Sequence, residues 1–336
     1  MTKIKNFIGV DVSKNTLDIY TYSTSIQIKS PYFSVDNNAK GFSKMNSIFK
    51  KHFLEANESL FCLEHTGVYS MPLCLFLEKR GLKYVLESGL QIKKSMGIQR
   101  GKSDKIDAKI KAEYAYLHRE NIKICKLPEK KLLVLKQLVG HRERLIKSRK
   151  MFQQAHKESK AFIAKEVVKE VLKESNHIIK HLSKKIDDVD TKILNLIQLD
   201  KHLYNIYQLL LSIPGVGPQI AINMIIITRS FTCFKNARQL ACYAGIAPFE
   251  YRSGTSIKGK NKVSHLANKK MKSLLSMGAI NSIRHDHEMK RYYERKLKEG
   301  KNGMSVINAV RNKLVGRMFA TVARGTSFVP LAKYVA

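Results

Sequence analysis

Four carboxylates in three short motifs near the N-terminus carry the chemistry this chain could perform. They are Asp11 in Ile8-Gly9-Val10-Asp11-Val12-Ser13-Lys14, Glu64 in Leu63-Glu64-His65-Thr66-Gly67, and Asp104 with Asp107 in Lys102-Ser103-Asp104-Lys105-Ile106-Asp107-Ala108. Acids are scarce here, with 27 Asp+Glu against 61 Lys+Arg. At an apolar strand end or a helix start a lone charge is costly, whereas clustered oxygen donors suit a hard divalent cation. A first-strand aspartate, an acid on a later central strand and two acids on a helix are what a two-metal phosphoryl-transfer site needs. In such a site two Mg²⁺ ions (or Mn²⁺) about 4 Å apart clamp the attacking and leaving oxygens. Asp104 and Asp107 are three residues apart and share a helix face, and Ser103 is placed to cap that helix. Each motif alone is weak, since acids at a helix start also complement its dipole. Their order and spacing, with Lys102 and Lys105 alongside, lead us to expect a metal site. Asp18 and Glu58 read as surface residues.

Two other segments could handle phosphate. Ser212-Ile213-Pro214-Gly215-Val216-Gly217-Pro218 fits a helix–hairpin–helix, in which Gly215 and Gly217 permit a tight turn and the next helix N-terminus offers N–H groups to a DNA backbone; a packing turn is the other reading. In Tyr251-Arg252-Ser253-Gly254-Thr255-Ser256, followed by Lys258, Lys260 and Lys262, a serine hydroxyl lies among cations that could stabilise charge developing at a phosphodiester. On local sequence alone this is an ordinary turn. His285 and His287 read as solvated, because no cysteine or carboxylate set completes a zinc site beside them.

The elements that must position these groups change character along the chain. Residues 4–35 read as three strands: the buried run Phe7–Val10, the alternating Leu17–Tyr22, and Ile26-Gln27-Ile28. Helices are expected at about 39–53, 71–80 and 103–119, with strands at 59–64 and 83–87 between them. That order predicts a mixed-sheet α/β domain of the ribonuclease-H/RuvC type over residues 1–127. Residues 128–205 read as a helical coiled-coil linker. Val168, Leu172, Ser175, Ile179, Leu182, Ile186, Val189, Ile193 and Leu196 step by four and three, and their partner is either a helix at 132–155 of the same chain or a second copy. Residues 206–336 read as a mostly helical third domain, with 250–265 as a loop rich in Ser, Gly, Lys and Asn.

Composition narrows the partners. The chain has 336 residues and a net charge of +34, a field that draws polyanions, nucleic acid first among them. Residues 206–336 hold 22 Lys+Arg against 5 Asp+Glu, a net of +17, so the last third is the expected backbone-gripping surface. Five widely spaced cysteines without a Cys-x-x-Cys pair speak against a disulfide framework or structural zinc and for a reducing, cytoplasmic setting. No membrane-spanning run or leader-like segment is read; the densest apolar stretch, 220–228, is too short to cross a bilayer.

Taken together, the motifs resemble the DEDD-type insertion-sequence transposases of the IS110 group, which include Piv-like DNA invertases. The resemblance runs through Gly9-Val10-Asp11-Val12-Ser13-Lys14, Glu64-x-Thr66-Gly67-x-Tyr69, Lys102-Ser103-Asp104-x-x-Asp107-Ala108, Ile213-Pro214-Gly215-Val216-Gly217-Pro218 and Tyr243-Ala244-Gly245-Ile246-Ala247-Pro248 followed by Ser253-Gly254. It implies Asp11, Glu64, Asp104 and Asp107 as metal ligands and Ser253 as a nucleophile that becomes linked to DNA. It also implies recombination of element ends with a target by a homo-oligomer (dimer or tetramer) guided by a bridge RNA, in the prokaryotic cytoplasm at the nucleoid. The segment Val263–Lys270 departs from the family pattern by lacking a glycine. A RuvC-like structure-specific nuclease using water, and a non-catalytic nucleic-acid scaffold, are the alternatives.

Overall fold

The computed structural model describes residues 4–25, 28, 31–52, 54–97, 101, 103–254 and 256–330, without the side chains at 56, 257, 258 and 260. It divides into two compact units, Met1–Leu127 and Pro128–Ala336.

The first unit is mixed α/β. Strands β1 (Asn6–Val12), β2 (Thr16–Ser23), β3 (Tyr32–Asp36), β4 (Ser59–Glu64) and β5 (Lys83–Glu87) form one sheet in the order β3-β2-β1-β4-β5. The first three strands pair antiparallel, and β4 and β5 add in parallel to β1. Helices α1 (Ala39–Lys51), α2 (Met71–Lys79), α3 (Gly89–Ser95) and α4 (Asp104–Leu117) cover both faces. That is why β1 is apolar almost throughout rather than alternating. Ile8, Val10 and Phe61 pack against Phe42 of α1 and Leu73 of α2, while Phe7, Cys62 and Val85 pack against Ile92 of α3 and Tyr114 of α4. Burial on this second face pushes the Cys62 thiol up to about 12.

Two expectations fail in this unit. The third strand is Tyr32–Asp36, not 26–28: Ile28 is outside any strand, and residues 26 and 27 lie outside the described set. Asp18 and Glu58 are not free surface groups. Asp18 is only 7% exposed and accepts the Tyr32 hydroxyl at 2.7 Å, and Glu58 pairs with Lys5 at 2.6 Å. The alternation in β2 suggested one wet face, but α4 covers the side that carries Asp18.

The second unit is mostly helical. Helices α5 (Lys130–Phe162) and α6 (Lys165–Gln198) fold back along each other, tied by Arg142 to Asp190 (Nη2 to Oδ2, 2.9 Å) and by Arg149 to Ser183. The heptad seam is therefore met by this chain's own helix, and Val168, Ile186, Val189 and Ile193 are buried along it. Asp200 breaks the run: its carboxylate accepts the N–H groups of His202 and Leu203 and starts α7 (Lys201–Leu211).

Helices α8 (Pro218–Thr228), α9 (Ala237–Tyr243), α10 (Lys269–His285), α11 (His287–Lys298) and α12 (Gly303–Arg324) follow. The core joins the base of the hairpin to the last helices through Ile197, Leu210, Ile220, Leu240, Leu275 and Leu314. The expected loop at 250–265 is instead a two-stranded ribbon of β6 (Pro248–Ser253) and β7 (Ile257–Val263). All six β6 residues are exposed, so the alternation of Phe249 and Tyr251 with Glu250 and Arg252 faces no core. The five cysteines are free, and no helix among the described residues is long and apolar enough to cross a membrane.

Candidate functional site: an acid cleft beside the first strand

Alternation along the strands brings a row of acids to the face under α4. Asp11 stands opposite Asp18 in the β1–β2 pair, and Glu64 opposite Glu87 in the β4–β5 pair. Val10 pairs with Leu63, so Asp11 and Glu64 are the next residues on two adjacent parallel strands. Side chains in such register point to one face. The row Asp18, Asp11, Glu64, Glu87 thus crosses four neighbouring strands.

The outer members are held by phenols. Tyr32 donates to Asp18, and the Tyr114 hydroxyl donates to Glu87 at 3.2 Å. The bond to Asp18, with burial, pushes the Tyr32 phenol up to about 12; burial first, then the Glu87 charge, does the same for Tyr114.

Helix α4 closes the cleft because Gly9 lets it touch the sheet. A Cβ built at Gly9 would lie 2.0 Å from the Ala108 carbonyl oxygen and 2.4 Å from the Ala112 nitrogen. Ser103 caps the helix by accepting the Ile106 N–H at 3.2 Å. Asp104, Asp107 and Lys111 follow each other at spacings of three and four, on one stripe of α4. The Lys111 ammonium reaches Asp11 Oδ1 at 2.6 Å, and the Lys111 residue is only 4% exposed. Glu64, Asp107, Lys111 and Gly89 line one cleft of about 520 Å³. Gly89 makes room for the acid, since a Cβ there would stand 2.1 Å from Glu64 Oε1.

Of the four expected acids, Glu64 and Asp107 line this cleft, and Asp11 is tied to its Lys111 by the ion pair. Asp104 is exposed one turn earlier, near enough to Tyr32 to help raise its phenol, and does not line the cleft. Among the described residues, no three His, Cys, Asp or Glu side chains stand close enough together to cage a metal. The Lys111 ammonium stands beside Asp11, 2.6 Å from its Oδ1. The donor set still fits a divalent ion: Asp11, Glu64 and Asp107 supply only hard carboxylate oxygens, and Gly89 leaves the Glu64 carboxylate a cradle that any side chain would fill.

The remaining expected positions are dispersed. Lys102 lies outside the described residues. Lys105 holds its ammonium over the Tyr32 ring, 5.6 Å from the centroid. Gly215 adopts φ +92° with its Cα against α10, where a Cβ would meet Ser282 Oγ at 2.0 Å, and Ser282 donates to the Pro214 carbonyl at 2.7 Å. That turn is tied to packing. Gly217, at the start of α8, faces open space. Ser253 is exposed at the end of β6, beside the tight turn at Gly254 with φ +54°. Arg252 pairs in register with Lys258, and Lys262 is exposed on β7; the side chains of Lys258 and Lys260 lie outside the described set. His285 and His287 are exposed, flanking Asp286, which caps α11.

Sequence reasoning missed Lys111, Gly89, Asp18 and Glu87. For Lys111 a signal was present: Ala108, Ala112 and Ala115 form a small-residue stripe, the mark of a helix pressed close to its neighbour, and Lys111 borders it.

Comparison with known proteins identifies the family. A profile described as "Transposase IS116/IS110/IS902 family" matches residues 207–294, and a DEDD-type IS110 transposase profile matches residues 8–158. The chain belongs to the IS110 family of transposases. The second match spans Asp11, Glu64, Asp104, Asp107 and Lys111, and the first spans the ribbon with Ser253. Similar proteins include the pilin gene-inverting protein of Moraxella lacunata, 28% identical over 332 residues, which cover 96% of this chain and 98% of that one. The pilin gene-inverting protein of Moraxella bovis is 27% identical over the same length. An insertion element IS110 protein of 43.6 kDa from Streptomyces coelicolor is 30% identical over 119 residues, 35% of this chain and 29% of that one. As a member of this transposase family the chain is an enzyme that acts on DNA.

Proposed function

We propose that this IS110-family transposase cleaves and rejoins DNA strands with Asp11, Glu64 and Asp107 holding a divalent cation, Mg²⁺ in the cell, and with Ser253 as the nucleophile. The single observation that carries the reading is the cleft lined by Glu64, Asp107 and Lys111, with the Lys111 ammonium 2.6 Å from Asp11. The strand order, with acids at the ends of β1 and β4, supports a ribonuclease-H/RuvC-like catalytic unit over residues 1–127, and the 128–205 hairpin shares one core with the 206–336 region. Asp104 joins as a fourth ligand through a rotamer change at the exposed start of α4. A bound divalent ion would supply Lewis acidity at the phosphodiester oxygens.

The chain's own groups do the rest. Ser253 Oγ forms the bond to phosphorus as the bond to the leaving DNA oxygen breaks, and that oxygen takes up the proton. Arg252, Lys258, Lys260 and Lys262 offset the developing phosphate charge, while Lys102, Lys105 and the amides at Gly217 hold backbone. The positive field suits a load of DNA and a bridge RNA, carried by a dimer or tetramer in the cytoplasm at the nucleoid.

The test is to incubate the protein with element-end DNA, its co-purifying RNA and Mg²⁺, then trap a covalent protein–DNA adduct. Loss of the adduct in Ser253→Ala, with DNA affinity kept, supports the reading. Cleavage that survives Ser253→Ala points to a water-using nuclease, and binding without cleavage by the unmodified protein points to a scaffold.

A further inference from the structure

Lys111 is an odd residue to find in this place. Its residue is 4% exposed on the sheet-facing side of α4, and its ammonium lies 2.6 Å from Asp11. A buried ion pair is poor value as mere scaffolding, because apolar side chains of similar volume often stabilise as well or better. The acid row shows what it does instead. Asp18 and Glu87 are satisfied by the hydroxyls of Tyr32 and Tyr114. Among the described residues, the side chains of Glu64 and Asp107 take part in no hydrogen bond or ion pair, although both line the cleft with Lys111. Lys93 and Lys111 both line this cleft, and among the described residues it is the Lys111 ammonium that meets one of the three carboxylates, at Asp11. A half-buried carboxylate such as Asp11 is costly without a partner, and the Lys111 ammonium supplies one with no metal bound.

We propose that Lys111 is the resident cation of the acid cleft: its ammonium balances Asp11 while the cleft is unloaded and is exchanged for the divalent ion on loading. The inference rests on the reading of Asp11, Glu64 and Asp107 as metal ligands. A lysine suits exchange better than an arginine would, since its compact charge sits on a flexible four-carbon stem and makes no bidentate fork with the carboxylate. No bond is made or broken; one cation replaces another beside Asp11 Oδ1. The exchange couples loading to a movement of Lys111 and keeps the four-stranded acid row intact in the metal-free protein.

The test measures Mn²⁺ binding to the full chain without DNA, by the resonance signal of free Mn²⁺, together with thermal unfolding with and without the ion. Removing a competing cation should tighten Mn²⁺ binding in Lys111→Met by about tenfold. The metal-free variant should melt below the unmodified protein, and saturating Mn²⁺ should raise its melting temperature more than it raises that of the unmodified protein. Lys111→Gln, which keeps a donor for Asp11 without the charge, should shift affinity in the same direction and serves if Lys111→Met does not fold. Unchanged or weaker Mn²⁺ binding in both variants overturns the exchange. Asp11→Asn separates the two layers: if it weakens Mn²⁺ binding while the Lys111 variants do not tighten it, only the exchange fails. If Asp11→Asn leaves Mn²⁺ binding untouched, the metal reading of the cleft falls with it.

Discussion

Gly89→Ala separates the chemistry of the cleft from the stability of the fold. Gly89 opens α3 without a positive φ, so alanine fits its backbone, and Gly→Ala within a helix favours folding by up to about 1 kcal/mol. The nearest atoms to the added Cβ belong to the Glu64 carboxylate: Oε1 at 2.1 Å, Cδ at 2.5 Å and Oε2 at 2.9 Å. Ordinary contact begins at 3.4 Å, so Oε1 must retreat by more than 1 Å. Glu64 can do so by turning its side chain, without disturbing Cys62 or Leu63 behind it. A displacement of about 1 Å at a reacting centre costs on the order of 10²-fold in rate. The expected result is an unfolding midpoint equal to or above that of the unmodified protein, with element-end cleavage reduced by about two orders of magnitude. Cleavage at the unmodified rate in Gly89→Ala would refute the placement of Glu64 at the reacting centre. A collapse of stability would refute the packing argument.

Three further outcomes follow from the same geometry. Gly9→Ala puts its Cβ against backbone atoms of α4, which cannot turn aside, so it should cost about 1–3 kcal/mol of stability in denaturant unfolding and cleavage together. Asp18→Asn should return the Tyr32 phenol from about 12 toward 10.0, read by ultraviolet titration against Tyr32→Phe. Because the folded value is raised, the stability that this bond gives is whole below pH 10 and lost as pH rises toward 12. Asp200 is held below the usual carboxylate range, by Lys131 first and then by the N–H of Leu203. Its contribution is therefore present above pH 3.8, the unfolded value, and lost as pH falls through the lower folded value. Asp200→Asn keeps the cap and removes the charge, so its unfolding midpoint should lie below that of the unmodified protein at pH 7 and converge with it in acid.

How much of this was legible in the sequence depended on which forces spoke locally. Asp11, Glu64 and Asp107 stood out because acids are rare here and each follows or opens a strongly patterned element. Helix α6 was legible because an amphipathic stripe repeats every three or four residues, and Ser103 marked the start of α4. Asp18 was hidden by its own pattern: Leu17-Asp18-Ile19-Tyr20 alternates as a half-wet strand does, and only the non-local arrival of α4 makes the polar face a buried one. Lys111 was hidden because a lysine on a helix is solvated by default, and the stripe of Ala108, Ala112 and Ala115 gains meaning only once Gly9 lies beneath it. Strand β6 of the ribbon carries no core-facing side to betray it, since each of its residues is exposed.

The central claim is that Asp11, Glu64 and Asp107 hold the cation that serves strand cleavage. Crystals soaked in Mn²⁺, with data collected at its absorption edge, address it most directly. The account predicts an anomalous peak within bonding distance of those three carboxylates, with the Lys111 ammonium withdrawn from Asp11. A saturated crystal whose peaks all lie elsewhere, with the Asp11–Lys111 pair still closed at 2.6 Å, would contradict it.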